Sequence, residues 1–371
     1  MKVLVTGGAG LIGSHIVDLL LQKGYEVRVL DNLQPPTHLK GKPGWIPDEV
    51  EFIQGDMRTR QDIDRALQGV EVVFHQAAFG GFAPEISRYV ASNALGTAYL
   101  LELIILNRYP IRKIVVASSQ AVYGEGKYEC REHGVQHPPL RPQQQLQRGD
   151  WEVKCPPCGR DMRALPTDEE TSIATTTVYG LTKFAQEHLV MNWGKQHGIP
   201  TVALRYSLTY GPRQSLTNPY TGVCSIFSTR ILNSLPPVVF EDGNQTRDFV
   251  YVGDVAAANV FVMENDRVND KVFNVGTGKP TRVLDFIATL TETYGRKASS
   301  LIRGEFRPGE VRHLFADNSR LSQLGFRPHT DLRTGLRRYV EWIQTQGEVG
   351  EYFTQAETQL RAMRTIISVV R

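Results

Sequence analysis

Short runs rich in Val and Ile recur along the N-terminal half of the chain: KVLVTG, EVRVLD, VEFIQGD, VEVVFHQAA, KIVVASS and TVALRYS. Each is nearly continuous in apolar character and ends at a turn, which predicts strands buried on both faces of a parallel sheet. Between them, helical periodicity runs over Leu11 to Lys23, Arg60 to Leu67, Glu85 to Asn107 and Val178 to His197. Regular alternation of this kind predicts an α/β fold, a doubly wound parallel sheet of Rossmann type. After Leu208 the alternation loosens into Pro and Gly turns with helical stretches near Ile226 to Asn233, Val255 to Glu264 and Val283 to Tyr294. The expected organisation is a nucleotide-binding domain over 1–207, carrying an insert at about 127–166, and a smaller α/β substrate lobe over 208–346 with helices that return to the core. A helical extension over 347–371 completes it, with Phe353, Ala356, Leu360, Met363, Ile367 and Val370 on one apolar stripe that should dock on the chain itself or on a second copy.

Composition narrows this only a little. At 371 residues the chain exceeds an average domain, yet α/β units with appended lobes reach that length without a linker. A hydrophobic share of 41%, a charged share of 22% and a net charge of +3 argue against disorder and against a nucleic-acid partner. There is no uninterrupted run of eighteen apolar residues and no charged leader with a cleavage site, so a cytoplasmic chain without membrane contact is expected.

The first chemical signal is VTGGAGLIGSH, which follows a strand and opens a helix. Gly7, Gly8, Gly10 and Gly13 leave bare backbone N–H groups and a helix N-terminus able to face a pyrophosphate. Asp31 ends the second strand, where a carboxylate suits the adenosine ribose hydroxyls and repels a ribose phosphate; the next residue is Asn32 rather than Arg, so NAD is favoured over NADP. Asp56, at the end of the following strand, is a further cofactor candidate. The second signal is Ser119 together with Tyr179 and Lys183. Residues at i and i+4 share a helix face, and a phenol that works as a base at neutral pH needs a cation beside it to lower its pKa.

These motifs occur in order with HQAA (His75 to Ala78), NALGTAYLL, ASSQAVYG, YGLTK, LRY, YGPRQ, RDFVYVGDVA and FNVGTG. Over roughly residues 1–345 the chain resembles the extended short-chain dehydrogenase/reductase family, specifically nucleotide-sugar epimerases and dehydratases related to UDP-glucose 4-epimerase. The resemblance implies NAD held by Gly7, Gly10, Leu11, Ile12, Gly13, Asp31, Asn32, Asp56, Met57, Ala77 and Asn93, together with Tyr179 and Lys183. It implies a nucleoside-diphosphate sugar in the C-terminal lobe and a homodimer built from the helices Ser92 to Asn107 and Val178 to His197. Ser119 falls on the catalytic hydroxyl, Tyr179 on the base and Lys183 on its charged partner. The dehydratases carry an acid pair after this serine; here Gln120 and Ala121 stand there, and neither exchanges a proton at neutral pH. Epimerase is preferred, with 4-keto reductase, oxidase or decarboxylase as alternatives and an inactive NAD-binding protein as a remote one. Arg247 and Arg307 match the arginines that pair with the diphosphate, while Gln120, Arg213 and Asn218 are further substrate candidates. Where relatives read LRYFN, this chain has LRYSL, so Leu208 replaces an asparagine near the substrate.

The other departure is the insert, longer than the connection usual in that family. Cys130-x-x-His133 and Cys155-x-x-Cys158 supply three thiols and an imidazole, a donor set for structural zinc, with His137 able to replace His133. Its Pro, Gln and Arg content leaves little apolar material for a core. Through this insert, the NPYTGV loop and the FEDG turn the chain looks similar to bacterial dTDP-rhamnose 4-epimerase-like proteins, which implies a dTDP-deoxysugar substrate.

Overall fold

The structure is a computed structural model describing residues 1–220, 222–297 and 299–370; Thr221 of the NPYTGV loop, Ala298 and the final tail residue Arg371 lie outside the described residues. Seven parallel strands form the central sheet in the order Lys271–Val275, Thr201–Tyr206, Lys113–Ser119, Val72–His75, Lys2–Thr6, Glu26–Asp31 and Glu51–Gln54. The pattern of Val and Ile explains it. Val3 and Val5 face one layer with Ile16, Leu20, Val255 and Val262, whereas Leu4 between them faces the other with Ile63, Leu100, Ile104 and Val190. Helices Leu11–Gln22 and Val252–Met263 cover the first face, and Arg60–Leu67, Gly96–Leu106 and Val178–His197 cover the second.

Chain order reverses between Lys2–Thr6 and Val72–His75, which opens a crevice beyond their C-terminal ends. The seventh strand is supplied by KVFNV, from beyond Leu208, where the strand and helix alternation was expected to loosen. A separate core gathers Tyr210, Phe227, Phe249, Phe286 and Tyr339 in the lobe, where the rings of Phe249 and Phe286 stack at 4.0 Å. Its helix Leu332–Gln344 was not anticipated from the pattern, although Leu336, Tyr339, Val340 and Ile343 form a clear inward stripe.

The helix expected over Glu85 to Asn107 spans Ile86–Leu106, with a widened π turn at Val90–Leu95. It is long and apolar enough to cross a membrane by length and composition, at a mean hydropathy of 1.4, but one side is packed into the fold. The tail departs from expectation. Its helix covers only Phe353–Ala362; Arg364 adopts φ +56° and breaks it, and Ile367–Ser368 instead pairs antiparallel with Glu305–Phe306. Met363 and Val370, assigned to the buried stripe, are therefore exposed.

Candidate active site and metal-binding insert

The glycine loop is closed by contacts that admit no side chain. A Cβ on Gly13 would lie 2.3 Å from the Gly7 carbonyl oxygen, and one on Gly7, itself at φ +68°, would lie 2.8 Å from the backbone of Ala77. The helix Leu11–Gln22 begins here with no side-chain cap, leaving its first N–H groups for a ligand at the crevice. Leu11 and Ile12 pack on the lobe core behind it. Asp31 accepts from Ala9 N at 3.0 Å and Leu33 N at 2.9 Å, so it braces the loop while each oxygen keeps a free lone pair. Asn32 donates to Asp56 at 2.9 Å. Burial raises the Asp56 carboxyl, but hydrogen bonds from Arg58 and Asn32 outweigh it and hold it at about 2. Met57 is buried beneath Gly96. Asn93 is engaged internally: it accepts from Phe79 N at 2.7 Å and donates to Phe79 O at 2.9 Å, clamping the loop that follows Val72–His75.

Ser119 ends its strand with Oγ accepting from Ala121 N at 3.2 Å. Tyr179 lies in the first turn of Val178–His197, capped by the Thr177 hydroxyl on Gly180 N at 3.0 Å. The expected lowering of the phenol pKa is not what the fold produces. Burial raises Tyr179, offset in part by its hydrogen bond with Ser119. The Lys183 ammonium sits on Gln186 Oε1 at 2.5 Å, and burial, opposed by Glu187, brings it down to about 7. The loop Phe79–Phe82 forms the other wall: a Cβ on Gly80 would touch the Tyr179 ring at 3.4 Å, and Tyr89 packs edge-on to that ring.

Gln120 places its amide oxygen in a buried position with no partner among the described residues. Arg307 lies between the rings of Phe82 and Phe240, 4.8 and 4.3 Å from their centroids, with its Nε likewise unpartnered among the described residues. Arg247 donates to the carbonyls of Thr246, Arg312 and Val311. Arg213 is not with them: it pairs with Asp18 at 2.7 Å and Ser14 O at 3.2 Å, tying its loop to the glycine-loop helix. Asn218 accepts from Tyr220 N at 3.0 Å, and Tyr220 O in turn accepts from Phe82 N at 2.9 Å. Leu208 is partly buried and packs against the lobe core.

In the insert, the strand Lys127–Cys130 lies between Gly134–Gln136 and Arg163–Leu165. The donor atoms of Cys130, His133, Cys155 and Cys158 all lie within 4.8 Å of one another; His137 is not among them. Cys130 Sγ is 3.6 Å from His133 Nδ1 and 3.7 Å from Cys158 Sγ, and Cys155 Sγ is 3.6 Å from His133 Nδ1. Tetrahedral bonds of about 2.3 Å to sulfur set such donors roughly 3.7 Å apart, so the four fit one ion.

Residues 3–145 and 157–276 match the NAD dependent epimerase/dehydratase family. The chain belongs to that family. A dTDP-L-rhamnose 4-epimerase of Burkholderia thailandensis is 34% identical over 350 residues, covering 92% of this chain and 94% of that one. The structure of a UDP-glucose 4-epimerase from Thermotoga maritima with UDP-glucose superposes with a TM-score of 0.77 at 31% identity, covering 94% of this chain and all (100%) of the other. A UDP-glucuronic acid 4-epimerase from Bacillus cereus, in complex with UDP-glucuronic acid and NAD, gives a TM-score of 0.76 at 28% identity over 93% of this chain and 99% of its own.

Within this NAD dependent epimerase/dehydratase chain, several residues behind the site escaped the sequence reading. Gln186 Nε2 donates to His75 Nε2 at 2.8 Å and to Ala77 O at 3.2 Å. His75 Nδ1 faces Thr6 Oγ1 at 2.8 Å and Nε2 also faces Thr97 Oγ1 at 2.8 Å, and burial followed by the Lys183 charge pushes the imidazole down to about 3. Arg205 holds Glu187 at 2.6 Å in a buried pair that pins the Tyr179 helix to the sheet. Gln186 and Glu187 sit three and four positions after Lys183 on one helix face, the signal by which they were findable.

Proposed function

We propose that the protein is an NAD-dependent 4-epimerase of a nucleoside-diphosphate sugar, with a dTDP-deoxysugar as the leading substrate. What supports this is Ser119 hydrogen-bonded to Tyr179, with Lys183 one helical turn on and Gln120 and Ala121 after the serine, which have no acid or base for eliminating water. The cradle fits a dinucleotide, with Asp31, Asn32 and Asp56 at its far end. When bound, NAD would supply a reversible hydride store and a cationic nicotinamide. Tyr179 takes the O4 proton and returns it to the inverted alcohol, so no proton accumulates over the cycle. Ser119 orients O4, and Lys183 lies one helical turn beyond Tyr179 as its charged partner. Arg247 and Arg307 hold the diphosphate, with Gln120 and Asn218 toward the sugar.

The Cys130, His133, Cys155 and Cys158 set holds a structural zinc, in keeping with a donor set of three thiolates and one imidazole and no vacant place for water. Leu106 and Leu181, 68% and 54% exposed on the two long helices that pack side by side, support a homodimer through those helices. Leu181→Glu should shift the particle mass in light scattering to that of a monomer; an unchanged mass would place the interface elsewhere. The activity is tested by incubating the protein with UDP-, dTDP- and GDP-sugars without added reductant and following C4 configuration by proton NMR. Epimer formation at constant NAD is the expected result. Absorbance change at 340 nm with no epimer would make the protein a net oxidoreductase.

A further inference from the structure

We propose that the metal-binding insert sets the grip on the substrate diphosphate, with Tyr128, Glu152, Glu125 and Arg141 as positioning residues for Arg247 and Arg307. This rests on the assignment of those two arginines to the diphosphate. Their placement depends on one short segment, residues 310–313. Arg247 donates to Val311 O at 2.7 Å and Arg312 O at 3.0 Å, and Arg307 is anchored on Glu310 at 3.3 Å.

That segment is held from the insert. Glu125 accepts from Arg312 N at 2.8 Å, and Arg141 donates to Glu310 O at 2.9 Å. The Tyr128 hydroxyl accepts from His313 N at 3.1 Å, while the Glu152 carboxylate takes the Arg312 guanidinium at 2.6 Å and the His313 ring at 3.2 Å. Arg141 and Arg312 share the buried Glu241 at 2.9 Å each, which closes the network onto the lobe. Buried charge pairs of this kind have one good geometry and tolerate little drift, because a displaced partner leaves an uncompensated charge.

The metal donors lie next to these residues in sequence. Tyr128 is two positions before Cys130 on the same strand, and Glu152 is three before Cys155. The apolar cluster of the insert comprises little beyond Tyr128, Val153, Met162 and the thiols, too small a core to fix the shape alone. An ion joining Cys130, His133, Cys155 and Cys158 supplies that rigidity and passes it through Tyr128 and Glu152 to the arginines.

The test is calorimetric titration of UDP and dTDP into the full-length, metal-loaded protein and its Tyr128→Phe, Glu152→Gln and Arg247→Ala variants, with zinc and NAD content measured on each. Glu152 is half-buried, so Glu152→Gln keeps shape and volume if Tyr128→Phe disturbs folding. Nucleotide affinity should fall about five- to tenfold in both insert variants while zinc and NAD contents hold, the fold-change expected for one hydrogen bond to a charged or buried group. The phosphorus-31 resonances of bound UDP should move with it, and chelator-treated wild type should lose at least as much affinity. Unchanged affinity in both insert variants, with Arg247→Ala weakened, would overturn the proposal and leave the diphosphate assignment standing. Unchanged affinity in Arg247→Ala would overturn both.

Discussion

Every residue of the strand Lys113–Ser119 is buried, and on either side of it two continuous apolar layers hold the sheet. The insert that departs just after this strand has a small cluster around Tyr128, Val153 and Met162, and is held to the rest by Glu125, Arg141, Glu152 and Arg312. The sheet derives its order from non-directional burial, which forgives small displacements and places Ser119 and Tyr179 by backbone geometry. The insert derives its order from directed contacts among ions and donor atoms, which hold only while each partner is present. The proposed chemistry would therefore rest on the rigid region, and the proposed substrate grip on the conditional one.

The largest effect should come from the rigid side. Tyr179→Phe keeps the ring and its packing on Tyr89 but removes the proton acceptor, and turnover should drop by about a thousandfold in a coupled or NMR assay. NAD and zinc contents should stay at wild-type values; loss of either would mean that the tyrosine is structural. A smaller but global effect is expected from the insert. Cys155→Ser should abolish zinc binding in elemental analysis and lower the melting temperature by several degrees, with NAD still bound to the intact crevice. A variant without zinc that melts like wild type would erase the distinction between the two regions.

The smallest effect sharpens the comparison inside the sheet region. Lys183 falls from 10.5 to about 7 in the fold because burial penalises its charge. Below pH 7 both folded and unfolded chains carry the proton and the full penalty applies. Between pH 7 and 10.5 only the unfolded chain holds it, so the contribution of Lys183 to stability rises with pH. Lys183→Met should therefore stabilise the cofactor-free protein in denaturant melts by about 1–3 kcal/mol near pH 6, an advantage that shrinks toward pH 10. A constant difference across that range would show that Lys183 is charged in the fold throughout.

What was legible in the sequence is local. Valine-rich runs, the glycine spacing and the Tyr179 to Lys183 step are periodicities of neighbouring residues, and each lies on the element expected of it. Cys130-x-x-His133 and Cys155-x-x-Cys158 were legible as two pairs, and the fold brings the pairs together. What was not legible depends on distant partners. Arg213 goes to Asp18, and Asp31 braces Ala9, because of how the lobe and the second strand lie against the glycine loop. The tail reads as one amphipathic helix by period alone, whereas the free edge of Glu305–Phe306 recruits its end as a strand. The expectation of a low phenol pKa rested on the Lys183 charge, whereas the ammonium donates to Gln186 and burial raises the phenol.

The central claim is that inversion at C4 occurs within one enzyme molecule by removal and return of the same hydride. A nucleoside-diphosphate sugar carrying deuterium at C4 tests it directly, with proton and deuterium NMR of the product at equilibrium. The C4 epimer should form with the deuterium fully retained at C4 and no net reduction of NAD. Loss of the label to free NADH, or a keto sugar that accumulates without the epimer, would contradict the account.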